Sequence, residues 1–275
     1  MKPTRPALRY YGGKWRLAPW IISHFPDHDC YVEPFGGAMS VLLRKRPSYI
    51  EVYNDLDQDV VTFFRVLRER TVDLIRAIRL TPFARAELAL SYKQSDDDLE
   101  RARRIYIRAV QAIGGPRTEW ASGWRFQKRD AHGKRSVDDW ADLEHLCDVA
   151  DRLRMVYLEC DDAMTIIKRY DEPTTLFYCD PPYPNVTRSK WAGKAYKCEM
   201  TDSQHVELAH VLMGIKGMAI VSSYPSEMYT DLYGDWKQVT RLSRVNTIRN
   251  GGALATECLW LSPTVTAKAV QKAMF

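Results

Sequence analysis

The sequence predicts an α/β fold: an open, mostly parallel sheet, interrupted by a mainly helical insertion and finished by an antiparallel pair of strands. Three observations predict it. Short β-branched and aromatic runs alternate with helical periodicity along most of the chain. Between residues 71 and 113 that alternation stops, and the pattern reads as short helices opened by Pro82 and by Asp96-Asp97-Asp98. Asn250-Gly251-Gly252, between the last two strand-like runs, is a hairpin signal. The expected division is residues 1–64 and 141–275 for the sheet domain and 65–140 for the insertion.

A chain of 275 residues with 45% hydrophobic content can bury one large core and carry a smaller module. No apolar segment approaches the roughly 20 residues that span a bilayer, and the Met1–Pro6 start leads into no signal-like apolar run, so a cytoplasmic protein is expected. Six scattered cysteines form no Cys-x-x-Cys pair, which suggests free thiols, with neither a zinc site nor a disulfide framework. The net charge of +5 is unevenly spread: residues 65–135 hold 17 Lys/Arg against nine Asp/Glu, and the remainder holds 23 against 26. Such a basic centre suits a module that binds a polyanion.

Taken in order, Tyr10-Tyr11-Gly12-Gly13-Lys14 sets glycines and a cation before a short helical pattern, Leu17 to Ile22. A strand at Tyr31-Val32-Glu33 then breaks at Pro34-Phe35-Gly36-Gly37 into an apolar helix start. Strand, small-residue turn and helix form the geometry of a Rossmann first crossover, where main chain faces the ligand. The full G-x-G-x-x-G is absent, so an adenosine-bearing cofactor smaller than a dinucleotide fits. A second strand, residues 49–53, ends at Asn54-Asp55, where Rossmann-like folds hold ribose hydroxyls; helix capping is the other role open to Asp55.

Within the insertion, residues 114–135 alternate basic and aromatic side chains between glycines. Arg117, Trp120, Trp124, Arg125, Lys128, Arg129, Lys134 and Arg135 are therefore candidates to touch phosphates and base edges of a nucleic acid. A helix over 137–152 and strands at 155–159, 174–179, 217–223, 235–242 and 254–261 complete the sheet.

The strand at 174–179 stops on Asp180-Pro181-Pro182-Tyr183. The first proline pushes Asp180 out of the helical region, and the pair removes two consecutive N–H donors, so the chain leaves the sheet as a stiff extended turn. One carboxylate, proline carbonyls and an aromatic ring then stand at a strand's carboxyl end. That set suits a planar base bearing an exocyclic amine: the oxygens accept its N–H groups and Tyr183 stacks on the ring.

In this order, the motifs resemble those of the Dam-type N6-adenine DNA methyltransferases. The resemblance covers most of the chain and implies a Rossmann-like methyltransferase sheet, S-adenosylmethionine as methyl donor, and adenine flipped out of double-stranded DNA as substrate. It implies cofactor contacts from Tyr10, Lys14, Glu33, Pro34, Phe35, Gly36, Gly37, Asp55, Asp162 and Asp180, and catalysis at Asp180, Pro181, Pro182 and Tyr183. The insertion takes the place of the family's target recognition domain. Tyr10 stands where the family usually has Trp, and Met39 where it often has Gly. A bacterial cytoplasm, with a cellular or phage-borne gene, follows from the same resemblance.

N4-cytosine methylation is the alternative within the class, because the same acceptors serve either amine. C5-cytosine chemistry is disfavoured, since none of the six cysteines follows a proline as its nucleophile requires. A catalytically inactive DNA-binding regulator of the same fold is the alternative from another class.

Overall fold

The computed structural model describes residues 3–116, 123–126, 135–184, 187, 196–245 and 253–267. Seven strands form one sheet: β1 (Cys30–Glu33), β2 (Ile50–Asn54), β3 (Val156–Glu159), β4 (Thr175–Cys179), β5 (Met218–Ser223), β6 (Lys237–Val245) and β7 (Ala253–Leu261). Their spatial order is β3-β2-β1-β4-β5-β7-β6. The first five are parallel, and β7 runs antiparallel to both of its neighbours. The expected antiparallel pair is present, with the last strand on its inner side. The hairpin signal at Asn250–Gly252 lies outside the described residues.

β4 shows why the central strands read as unbroken apolar runs. Its five residues are all buried; Leu176 and Tyr178 join the core on one face, while Phe177 and Cys179 join the core on the other. Both faces are covered, so period-2 alternation separates two cores rather than core from solvent. The first face carries α1 (Ala18–Ile22), α2 (Gln58–Glu69), α3 (Thr71–Arg79), α4 (Arg85–Leu90), α5 (Asp98–Gln111), α6 (Ser136–Ala141) and α7 (His145–Leu153). The second carries α8 (Ala163–Arg169), α9 (Asp202–Met213) and α10 (Glu227–Leu232).

The expected start of the insertion, residue 65, falls in the helical segment between β2 and β3. Residue 65 lies inside α2, whose Phe63, Phe64 and Leu67 share one continuous core with Tyr106 of α5 and Leu146 of α7. Helices α3 to α6 therefore grow out of the sheet's own core. The single helix expected over 137–152 is two, α6 and α7, separated by Asp142–Glu144.

The apolar helix expected after the glycine turn is also corrected. From Gly37 to Arg44 the chain passes through successive turns, with isolated helical bonds such as Leu43 N–H to Met39 O at 3.1 Å. Met39 adopts φ 56°, which interrupts right-handed winding. That conformation costs a side chain roughly 1–2 kcal/mol. Full burial of the Met39 thioether, worth roughly 1.5–3 kcal/mol, offsets it.

No helix among the described residues is long and apolar enough to cross a membrane.

Candidate active site

One cleft opens at the carboxyl ends of β1, β2 and β4, with a volume of roughly 1030 Å³ including its mouth. Tyr10, Lys14, Glu33, Pro34, Phe35, Gly36, Gly37, Asp55, Asp162, Asp180 and Pro182 all line it. Residues far apart in sequence are brought together here by the parallel register of β1 with β2 and β4. Pro181 and Tyr183 are not among the lining residues.

The glycine turn is held from β2. Gly36 N–H bonds to Asn54 O at 2.8 Å, and Asn54 Nδ2 donates to Pro34 O at 2.9 Å. A Cβ on Gly36 would meet the Tyr53 ring at 2.1 Å, so only glycine fits; the Tyr53 hydroxyl meanwhile bonds to Gly37 O at 2.7 Å. Asp55 accepts Gly37 N–H and Asp57 N–H, each at 2.8 Å. The capping role falls to Asp57, whose Oδ1 accepts Asp59 N–H at the start of α2. Burial pushes the Asp55 carboxyl up to about 6, against the pull of its two backbone donors. Asp162 caps α8, accepting from Met164 and Thr165 N–H.

Glu33 is almost wholly buried, and its Oε1 accepts both the Tyr31 hydroxyl and Leu42 N–H at 2.7 Å. Burial pushes its carboxyl up to about 8, despite those donors and the nearby Lys45. Two features of the cleft match an adenosine-bearing cation. Ser40 Oγ is buried on the cleft wall with no hydrogen-bond partner among the described residues, so a ligand polar group would satisfy it. Glu33, Asp55, Asp162 and Asp180 surround the same space with carboxyls, and the aromatic rings of Tyr10 and Phe35 complete the wall.

At the other end of the cleft, Lys14 Nζ lies 3.0 Å from Asp180 Oδ1 and donates to Gly12 O at 3.0 Å. Burial opposes its charge, yet the adjacent Asp180 and Glu257 raise its basicity above that of an ordinary lysine. Ser222 Oγ donates to the same Asp180 Oδ1 at 2.5 Å. Tyr183 differs from the open stacking face expected of it. Its ring is 7% exposed, Lys14 Nζ stands 4.8 Å over it, and Tyr224 meets it edge to face at 4.8 Å. Its hydroxyl bonds to Glu257 Oε2 at 3.0 Å.

Sequence reasoning missed Ser40, Ser222, Glu257 and Tyr224. It also missed the segment 196–200, where Lys197 reaches Asp57 and Asp59 at 3.1 and 3.2 Å across the cleft mouth. Single polar residues inside apolar strands carry no local signal of partnership.

Of the expected DNA contacts, Arg117, Trp120, Lys128, Arg129 and Lys134 lie outside the described residues. Trp124 is half-buried: it packs on Phe83, with the Arg85 guanidinium 4.5 Å over its ring. Arg125 pairs with Asp139 at 3.5 Å and Arg135 with Asp138 at 2.7 Å, while Phe126, stacked on Trp124, is 65% exposed. Much of the helical positive charge is also compensated. Arg65, Arg101, Arg103, Arg104 and Arg108 all pair with carboxylates of α2, α4 or α5.

Comparison with known proteins agrees with this architecture. The chain is 26% identical over 265 residues to a DNA adenine methylase of Salmonella typhi and 25% identical over 264 residues to that of Escherichia coli K12, covering 92% of each chain in both cases. A type II methyltransferase, M.MjaIII of Methanocaldococcus jannaschii, is 23% identical over 231 residues, or 75% of this chain and 78% of that protein. The model of one family matches residues 10–250, a span that takes in Lys14, the glycine turn, Asp55 and the Asp180–Tyr183 turn. The chain belongs to the D12 class N6 adenine-specific DNA methyltransferases.

Proposed function

We propose that this DNA adenine methyltransferase uses S-adenosylmethionine in the cleft between the glycine turn and Asp180, and acts on adenine flipped out of double-stranded DNA. The observation that carries this reading is that one cleft is lined both by the Gly36-Gly37 turn with Asp55 and by Asp180 with Pro182. Cofactor end and acceptor end are contiguous, as in-line transfer between two bound molecules requires.

Tyr10, Phe35, Asp55 and Asp162 would hold the adenosine portion, and Lys14 and Ser40 its polar end. When bound, the cofactor supplies a methyl group already activated on a sulfonium. The protein's contribution is then alignment. Asp180 and a carbonyl of the proline turn accept the two N–H groups of the adenine N6 amine, which turns its lone pair towards the methyl group. Lys14 and Ser222 fix Asp180 for that task, and Tyr183 with Tyr224 forms the aromatic wall beside the base. Extruding the base from the duplex costs a few kcal/mol, which these contacts help offset.

The test is to incubate duplex DNA with methyl-labelled cofactor, digest it and identify the labelled nucleoside by mass. N6-methyladenine is expected; N4-methylcytosine would keep the alignment mechanism and change the base. Asp180→Ala is expected to lose about 10²-fold or more in rate while still melting cooperatively. Wild-type turnover in that variant would remove Asp180 from the mechanism.

A further inference from the structure

Four side chains from β5, β7 and the turn after β4 line up behind the cleft: Tyr183 hydroxyl donates to Glu257 Oε2 at 3.0 Å, Ser222 Oγ donates to Asp180 Oδ1 at 2.5 Å, and the two hydroxyl oxygens stand 3.1 Å apart. Asp180 and Tyr183 follow β4, Ser222 lies in β5 and Glu257 in β7. Antiparallel pairing of Ser223 with Cys258 brings the last two strands together at this point. Ser222 and Glu257 are 1% and 6% exposed.

Donor counting fixes which of these contacts carries a proton. An ionised carboxylate only accepts, so the single hydroxyl proton of Ser222 goes to Asp180 and that of Tyr183 goes to Glu257. Asp180 Oδ1 thus receives both Ser222 and Lys14. Among the described residues no donor reaches Oδ2, and that oxygen is left for an incoming amine. Glu257 in turn ties down the Tyr183 ring. Lys14 from the N-terminal loop, Asp180, Tyr183 and Tyr178 from β4 and its turn, and Tyr224 after β5 all face this carboxyl. An apolar residue at 257 would fill the strand without the desolvation cost of a buried carboxyl beside Asp180. Fold stability therefore gives no reason for a glutamate here, whereas orientation of the turn does.

We propose that Ser222 and Glu257 are positioning residues for methyl transfer, Ser222 by orienting the Asp180 carboxylate and Glu257 by locking Tyr183 against it. This rests on the reading of Asp180 as the group that meets the amine.

The test compares Ser222→Ala, Glu257→Ala, Glu257→Gln and Asp180→Ala for kcat and KM on duplex DNA, with S-adenosylmethionine affinity by calorimetry and thermal melting alongside. Ser222→Ala and Glu257→Ala are expected to lower kcat by about 10- to 100-fold with cofactor affinity within about threefold of wild type. Glu257→Gln, whose amide oxygen still accepts the Tyr183 hydroxyl, is expected to recover most of the loss. Unchanged kcat in the folded variants, a loss confined to KM, or a glutamine no better than alanine would each overturn the proposal. Should Glu257→Ala fail to fold, Ser222→Ala and Glu257→Gln still decide it. Full activity in Asp180→Ala would instead overturn the underlying reading of the site. Inactivity there, with wild-type kcat in the other variants, would overturn this inference alone.

Discussion

Lys14 places its ammonium 3.0 Å from the Asp180 carboxylate while only 6% of the lysine is exposed. The same ammonium faces Glu257 and stands over the Tyr183 ring. One cation therefore balances two carboxyls from different strands at the point where the cleft ends.

Lys14→Met is expected to damage both activity and stability. Removing one partner of a buried pair leaves the other uncompensated, a loss on the order of 3–5 kcal/mol. Asp180 and Glu257 would then repel each other, so the melting temperature should fall further at pH 8 than at pH 5, where protonation of a carboxyl relieves them. Methyl transfer should drop by about 10²-fold. A variant with wild-type melting at both pH values would show that the ammonium contributes no net balance.

The parts of this site legible in the sequence are those where chemistry is compressed into a few adjacent residues. Pro181-Pro182 dictates an extended exit from β4, and Gly36-Gly37 dictates close backbone approach, so Asp180 and the turn could be named from local constraints alone. Ser222 and Glu257 are a serine and a glutamate in separate strands, joined only through a pairing 37 and 35 residues apart from one register position to the next. Such contacts leave no local trace. The same holds for the packing of Trp124, whose partner Phe83 lies 41 positions earlier. Asp55 was legible as an acid at the right place, but its bond to Gly37 N–H appears only once β1 and β2 are side by side.

Glu33 should make stability fall with rising pH. Its carboxyl is raised from an ordinary 4.5 to about 8 by burial. The folded state thus binds a proton more tightly than the unfolded chain does. The resulting stabilisation is fully present below pH 4.5 and is lost as pH climbs through 8. Glu33→Gln keeps an oxygen to accept the Tyr31 hydroxyl and Leu42 N–H, and removes the titration. Its melting temperature is expected to exceed that of wild type at pH 8.5, by roughly 2 °C for each kcal/mol relieved, and to converge with it near pH 4.5. A wild-type profile flat between these limits would show that Glu33 ionises freely.

The remaining question is where the DNA is held, and ion pairing separates two sources of positive charge. The helical arginines are largely matched: Arg65 with Asp98, Arg70 with Asp73, Arg101 with Asp59 and Arg103 with Glu87 and Glu100. Between residues 117 and 135 the sequence holds six Lys/Arg against two Asp/Glu; Arg125 and Arg135 pair with Asp139 and Asp138, which leaves Arg117, Lys128, Arg129 and Lys134 as the candidate phosphate contacts. A phosphate contact releases counterions, and the dependence of binding on salt steepens by roughly 0.9 per contact. Replacing Lys128, Arg129 and Lys134 together by Gln is expected to lower that slope by up to about 2.7 and to weaken binding to all duplexes alike. Replacing Arg65 and Arg70, which already have carboxylate partners, should leave the slope near wild type. Measuring duplex affinity between about 50 and 200 mM salt separates the two. A slope that changes with the helical pair and not with the loop triad would move the DNA surface onto the helices.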